Sequence, residues 1–215
     1  MDNIEINKKD FISRGKEGEV YICYLKTKTG KTDYTKKFAV KVFKGKKSSE
    51  KFKQEVSFLR EASLNEVSPK VIYPTKDNIR KNKFDKIIVM ELLGDNLMKY
   101  LQKENGRFSI SQQKKIINLF KTLDKLGILH GDPNPLNFLQ DKHGDFLLID
   151  YGFAKEINEK EIKKINKNGM NVTEKNANVR LMCLGLLMQL SPYMNVKGLK
   201  ELIKHVEPSK RYIFQ

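Results

Sequence analysis

Cysteine is scarce: the chain of 215 residues has two, Cys23 and Cys183, far apart and without CxxC or His-rich spacing. That argues against a disulfide framework and against a structural zinc site. Long apolar runs are missing too. The longest, Ile87 to Leu93, is interrupted by Glu91 and falls well short of the roughly 20 residues that a membrane-spanning helix needs. The first residues, Met1-Asp-Asn-Ile-Glu-Ile-Asn7, lack a basic stretch followed by an apolar one, so no secretory signal and an intracellular location are expected. There is no internal repeat and no long low-complexity tract. Acidic residues are few beside basic ones, 26 Asp+Glu against 42 Lys+Arg, a net charge of +16. The excess is spread along the chain, +10 over residues 1–90 (22 basic, 12 acidic) and +6 over the remainder (20 basic, 14 acidic). Such a field favours acidic partners: nucleic acid, anionic lipid, phosphorylated ligands or acidic protein surfaces. It also has a compositional reading, since Lys, Asn and Ile are abundant together and much of the Lys serves as solvated surface.

What is present suffices for a real core, 39% hydrophobic and 32% charged residues in 25.0 kDa, and predicts one domain or two small lobes. Residues 10–92 read mostly as strands. Glu19–Leu25 and Phe38–Phe43 are β-branched and aromatic runs, with a turn around Thr29-Gly30 between them. Ser48–Ala62 has apolar residues at 52, 56, 59 and 62, one face of a helix, with Ser48 or Ser49 as its N-cap. Short strands follow at Val71–Tyr73 and Asp85–Leu93. After Gly94 the pattern turns helical, over 96–102 and 111–126, the latter stopped by Gly127, then a strand at Phe146–Ile149 and helices around 174–190 and 196–206. A β-rich part followed by a helical part is an α+β arrangement, and ligands commonly bind in the cleft between such parts.

Three groups of residues carry chemistry. Gly15 and Gly18, in Ile12-Ser-Arg-Gly-Lys-Glu-Gly-Glu-Val20, sit in a turn leading into a strand, where a missing Cβ lets backbone N–H groups approach phosphate oxygens; alone, such a turn is more often a plain hairpin. Lys41 interrupts the apolar strand Ala39-Val-Lys-Val42. An inward lysine needs a partner, and Glu55, at the edge of the following helix's apolar face, offers one that would hold its ammonium at a phosphate-binding point. The third group is His130-Gly-Asp132-Pro-Asn-Pro-Leu-Asn137 with Leu148-Ile-Asp150-Tyr-Gly152. An Asp and an Asn five apart in a proline-stiffened loop suit a base and a hard-cation ligand, and Asp150 at a strand end suits a second ligand.

In this order the three groups resemble the protein-kinase-like superfamily. SxGxxGxV at Ser13–Val20 is similar to its glycine-rich loop, AVKV to its β3 lysine motif, Glu55 to its αC glutamate, HGDPNPLN to its catalytic loop and Asp150-Tyr-Gly152 to its DFG motif. The resemblance covers residues 10–155. It implies a bilobal kinase fold, with an N-lobe over 1–92 and a shortened helical C-lobe over 93–215, and a phosphotransferase using ATP with Mg²⁺, or Mn²⁺ in its place. By the same resemblance the loop around Ile12, Ser13, Gly15, Lys16 and Gly18 would cover the ATP phosphates. Lys41, held by Glu55, would bind the α- and β-phosphates. Met90 would be the gatekeeper, Glu91 and Leu93 would offer backbone groups to adenine, and Val20, Ala39 and Leu139 would sandwich its ring. Asp132 would orient and deprotonate the acceptor hydroxyl, and Asn137 and Asp150 would hold the metal.

Several positions depart from that pattern. Gly131 stands where an arginine is usual, so nothing is provided to receive an activation-loop phosphate. Asn134 replaces a common lysine, no APE motif follows Gly152, and Arg180 stands where the αF helix usually carries an aspartate. A C-lobe this short is similar to the KEOPS-type kinase and to compact bacterial-effector and large-DNA-virus kinases, in which case the intracellular location would be that of a host cell. The leading expectation is a serine/threonine protein kinase that also phosphorylates itself and acts on acidic protein targets. The alternatives are a small-molecule or sugar kinase of the HGDPxPxN type and a non-enzymatic basic ATP-binding module. Nucleic acid as a partner is unsupported, because aromatic and basic residues are not interleaved as a binding platform.

Overall fold

The computed structural model describes residues 4–15, 18–27, 29–44, 49–75, 78, 86–195 and 198–214. Lys16, expected over the phosphates, and Ser48, one of two expected N-caps, lie outside them.

The first half forms an antiparallel five-stranded sheet in the order β1-β2-β3-β5-β4, from β1 (Ile4–Arg14), β2 (Gly18–Lys26), β3 (Thr32–Phe43), β4 (Val71–Tyr73) and β5 (Ile87–Glu91). Its register decides where the chemistry goes. Gly18 pairs with Phe43 and Val20 with Lys41 across β2–β3, while Ala39 pairs with Met90 across β3–β5. Because strand side chains alternate, Ala39, Lys41 and Phe43 share one face of β3. Helix α1 (Ser49–Leu64) covers that face, burying Phe52, Val56, Leu59 and Ala62 at the helical spacing that the sequence predicts. Phe52 meets Phe43 edge-to-face at 4.9 Å.

The second half is mainly helical. Helix α2 (Leu97–Lys103) is capped by Asn96, whose side chain accepts from Lys99 N–H. Helix α3 (Ile110–Lys125) is capped by Ser109 in the same way and buries Ile116, Ile117, Phe120 and Leu123. It ends at Gly127, whose φ of +68° suits the left-handed residue that closes a helix. A segment of short strands follows: β6 (Ile128–Leu129), then the 3₁₀ turn Pro135–Asn137, the β7 (Phe138–Gln140)–β8 (Phe146–Leu148) hairpin, and β9 (Lys155–Glu156), which pairs with β6. Helix α4 (Glu159–Lys167) was not expected from the sequence. Six of its nine residues are Lys or Glu, and its two isoleucines, Ile162 and Ile165, give only a narrow apolar stripe. Helix α5 (Ala177–Leu190) is apolar on nearly every side and buries eight residues, the pattern of a helix surrounded by its own protein. Helix α6 (Lys200–Lys204) and a 3₁₀ stretch, Pro208–Phe214, complete the chain.

One contiguous apolar core joins the two halves, running from Ala39, Val56 and Met90 through Phe120, Phe138 and Tyr151 to Leu186 and Val206. Sheet and helices are thus held in one orientation by shared burial, and the β7–β8 hairpin is packed between them. Among the described residues no helix is long and apolar enough to cross a membrane.

Candidate active site

Lys41 is the hub. Its side chain is 13% exposed, and its ammonium lies 3.0 Å from Glu55 Oε1 on α1 and 2.9 Å from Asp150 Oδ1 beyond β8. Sequence positions 14 and 109 residues away are brought to one nitrogen. Burial opposes a charged lysine, but the Asp150 and Glu55 carboxylates outweigh it and hold the Lys41 pKa above its ordinary value. Burial likewise opposes a charged Asp150. Lys41 and the Gly152 N–H outweigh it, so the Asp150 carboxyl stays below the usual range.

Asp132 and Asn137 form the second pole. Asn137 Nδ2 donates to Asp132 Oδ2 at 2.8 Å, and Asn134 N–H donates to Asp132 Oδ1 at 3.2 Å. Both oxygens of the candidate base are thereby oriented. With its nitrogen so engaged, the Asn137 carboxamide has its oxygen left to act as an acceptor. Asn137 C=O also accepts Ile149 N–H at 3.0 Å, which fastens the loop beside Asp150. Asn137 Oδ1 and Asp150 Oδ2 are two hard oxygen donors on adjoining segments, a set that suits Mg²⁺ or Mn²⁺ completed by phosphate and water oxygens. Among the described residues no group of three or more His, Cys, Asp and Glu forms an all-protein metal site.

The other predicted residues that the structure describes differ in their setting. Ala39 and Met90 are buried and Val20 packs against the same cluster, while Leu139 in β7 bridges to Asn96. Ile12 and Ser13 are exposed on β1. The two glycines differ. A Cβ on Gly18 would collide with the Val42 carbonyl, whereas Gly15 has nothing within 4 Å of that position. Gly15 N–H donates to Gly18 C=O at 2.9 Å, so in this conformation the hairpin itself uses one amide expected to cover phosphates. At the start of the interlobe segment, Glu91 N–H donates to Lys70 C=O, which fixes that segment against β4. A cavity of about 540 Å³, bordered by Ser68, Lys70, Glu91 and Lys115, contains none of Lys41, Asp132, Asn137 or Asp150.

A protein kinase domain model matches residues 6–175 of the chain. The chain belongs to the protein kinase family. It is 28% identical to human cGMP-dependent protein kinase 2 over 124 residues, 56% of this chain and 16% of that protein. It is 36% identical over 84 residues, 39% of this chain and 6% of the relative, to the probable serine/threonine-protein kinase ndrC of Dictyostelium discoideum. A third relative, fatty acyl-CoA synthetase and RNA processing-associated kinase 1 of Saccharomyces cerevisiae, is 24% identical over 128 residues, 58% of this chain and 15% of that protein. The chain thus spans about a sixth of the length of these relatives, or less.

The sequence reading missed the buried residue that ties helix α5 to the loop carrying His130 and Asp132. Arg180, which the resemblance aligns with the usual αF aspartate, turns its guanidinium to Glu207, at 2.8 Å, and to Asn171 C=O. Asn178, two residues earlier and fully buried, accepts His130 N–H at 2.9 Å and donates to Ile128 C=O at 2.7 Å and to Asp124 Oδ1 at 2.9 Å. Asp124 also accepts the Asn178 and Val179 N–H groups, at 2.7 and 3.2 Å. Burial raises its pKa despite these bonds. An Asp and an Asn at intervals that place both inside apolar helix faces were the available signal. His130 is equally buried, and burial lowers its pKa, so it is neutral. Its Nε2 faces Ile149 C=O at 3.1 Å and therefore carries the hydrogen, while Nδ1 accepts Asp132 N–H at 3.4 Å. Gly131 has φ +80°, and a Cβ there would lie 3.3 Å from the Phe153 carbonyl oxygen. The loop's path, rather than a missing regulatory need alone, accounts for glycine in place of arginine.

Proposed function

We propose that this kinase is a serine/threonine protein kinase that transfers the ATP γ-phosphate to protein hydroxyls, its own included, with Mg²⁺ or Mn²⁺. The observation that carries the reading is the convergence of Lys41, Glu55 and Asp150 on one side and of Asp132 and Asn137 on the other. Lys41, fixed by two carboxylates, is placed to bind α- and β-phosphate oxygens as a point charge. Asp132, with both oxygens oriented by donors, is placed to align the acceptor hydroxyl and take its proton as the new O–P bond forms and the bond to ADP breaks. Asn137 Oδ1 and the Asp150 carboxylate would hold the divalent cation, which supplies charge neutralisation on the phosphates. Two of the three relatives carry kinase names specific for protein or serine/threonine acceptors, and the +16 charge suits acidic protein targets.

The test is incubation with labelled ATP and Mg²⁺, alone, with acidic and basic protein acceptors, and with a panel of sugars and amino alcohols. Label on protein Ser/Thr, abolished in Asp132→Ala at unchanged thermal stability, is the expected outcome. Label confined to small hydroxyl compounds would overturn the protein-kinase reading in favour of a small-molecule kinase, and undiminished transfer by Asp132→Ala would overturn the assignment of the base.

A further inference from the structure

Asp150 holds its carboxylate against Lys41 from an unfavourable backbone. Its φ is +64°, in the left-handed region, although it is not glycine. Such a conformation persists only where the surroundings enforce it. The enforcement falls on the next residue. Tyr151 is 1% exposed, and its hydroxyl lies 2.6 Å from Ser68 Oγ, itself 3% exposed, in the segment between α1 and β4. One hydroxyl donates and the other accepts. The Tyr151 ring also stands edge-on to His130, centroids 4.7 Å apart. His130 in turn receives Asp132 N–H and reaches Ile149 C=O. Tyr151 therefore touches the supports of both Asp132 and Asp150, and its one polar atom is tied to the sheet half of the molecule.

We propose that Ser68 and Tyr151 form a positioning latch that keeps the Asp150-Tyr151-Gly152 turn in its Lys41-facing conformation without phosphorylation of the segment that follows. This rests on the reading of Asp150 as a ligand for the phosphate-bound cation. An apolar ring alone would pack in the same place, but it would be indifferent to modest rotation of the turn. The hydroxyl pair is directional. If the turn rotates to take Asp150 away from Lys41, two hydroxyls in a dry core lose their only bond to each other, and a buried polar group without a partner is costly. The latch thus adds its free energy to one conformation selectively. It does so in a chain whose Gly131 provides no guanidinium to receive a phosphate and order the turn from the other side. Neither residue touches substrate; both act through Asp150.

The amide of Ala154 donates to Tyr151 C=O at 3.0 Å, so its hydrogen exchange reports opening of the turn in the protein without nucleotide or metal. In Tyr151→Phe and in Ser68→Ala, exchange at Ala154 should quicken about five- to tenfold, as expected for the loss of one buried hydrogen bond. The Mn²⁺ concentration that half-saturates nucleotide binding should rise by a similar factor, with metal-free nucleotide binding unchanged. Ser68→Thr should restore both readouts. The double variant, which strands neither hydroxyl, should fold normally and show the same loss as either single change. Wild-type exchange and Mn²⁺ dependence in Tyr151→Phe would overturn the latch while leaving the kinase reading intact, because that reading is tested separately at Asp132. A uniform fall in metal-free and metal-supported binding that tracks thermal stability would overturn it as well.

Discussion

Replacing Asn178 with alanine removes a fully buried carboxamide that makes three bonds at once: it accepts His130 N–H and donates to Ile128 C=O and to Asp124 Oδ1. Two backbone groups lose their partner outright. Asp124 is partly compensated, because it keeps the Asn178 and Val179 backbone N–H groups. Each stranded buried group costs about 1–3 kcal/mol, and groups in one network do not add simply. The variant should therefore lose about 3–5 kcal/mol, a large share of the 5–15 kcal/mol typical of a domain. In thermal unfolding that corresponds to a fall of about 10 °C for a chain of this size. The assay is urea and thermal unfolding followed by circular dichroism. Phosphoryl transfer should be measured where the variant is still folded, and it should also fall because the backbone carrying His130 to Asp132 is released. Asn178→Asp sharpens the test. A carboxylate there still accepts His130 N–H, but it faces the Asp124 carboxylate and the Ile128 carbonyl without a proton to offer. Its deficit should grow from mildly acidic to alkaline buffer, as the two acids lose the proton they share. A change below about 1 kcal/mol in Asn178→Ala, the size of an ordinary surface substitution, would refute the anchoring argument.

Two further outcomes follow from the same coordinates. Gly18→Ala should destabilise the sheet by about 1–3 kcal/mol, the usual cost of overpacking, because the added Cβ meets the Val42 carbonyl; Gly15→Ala, which meets nothing, should leave the unfolding temperature in place and raise the KM for ATP, and the reverse pattern would remove the glycine loop from the nucleotide site. His130 gives a pH dependence. Burial lowers its pKa below 6.5, so the unfolded chain takes up the proton first. Stability conferred by the neutral imidazole is then full above pH 6.5 and declines as pH falls below it. The urea midpoint should drop in that range with a slope that His130→Gln reduces, and an equal slope in both proteins would refute the assignment.

The pattern of the sequence was enough for β2 to β5 and for the chemistry that hangs from short motifs, but not for the edge strand β1. Lys41 in an apolar strand needed a counter-charge, and Glu55 was visible at helical spacing beside Phe52 and Val56. Asp132, Asn137 and Asp150 stood in rigid or strand-end positions whose turn requirements were already met by proline. What escaped was long-range and polar. Nothing in the local pattern of Asn178 tells that it reaches back 48 residues to His130, since an Asn near a helix start reads first as a cap. The Ser68–Tyr151 bond spans 83 residues and joins two residue types with ordinary local uses. Helix α4 escaped for a different reason: its stripe of two isoleucines is too narrow for periodicity to register, and it is held by packing against Leu129, Val172 and Ala177.

The charge of the chain and the charge of the site have opposite signs, and that contrast bears on how the nucleotide is held. The protein carries +16 overall, yet the side chains that converge at the site bring one ammonium, Lys41, against three carboxylates, Glu55, Asp132 and Asp150. His130, neutral in its buried setting, adds nothing. By formal charge the site itself is negative by two before any ligand arrives. A triphosphate can be drawn towards the molecule by the basic surface, but at close range it meets carboxylates two of which already share the Lys41 ammonium. A divalent cation bound with the phosphates would reverse the local sign. The Lys41–Asp150 bond acquires a meaning from this. While no cation is present, Lys41 shields Asp150 and keeps the turn in place. With a divalent cation and phosphates bound, the Asp150 carboxylate would hold the cation and Lys41, kept by Glu55, would be placed to bind phosphate oxygens.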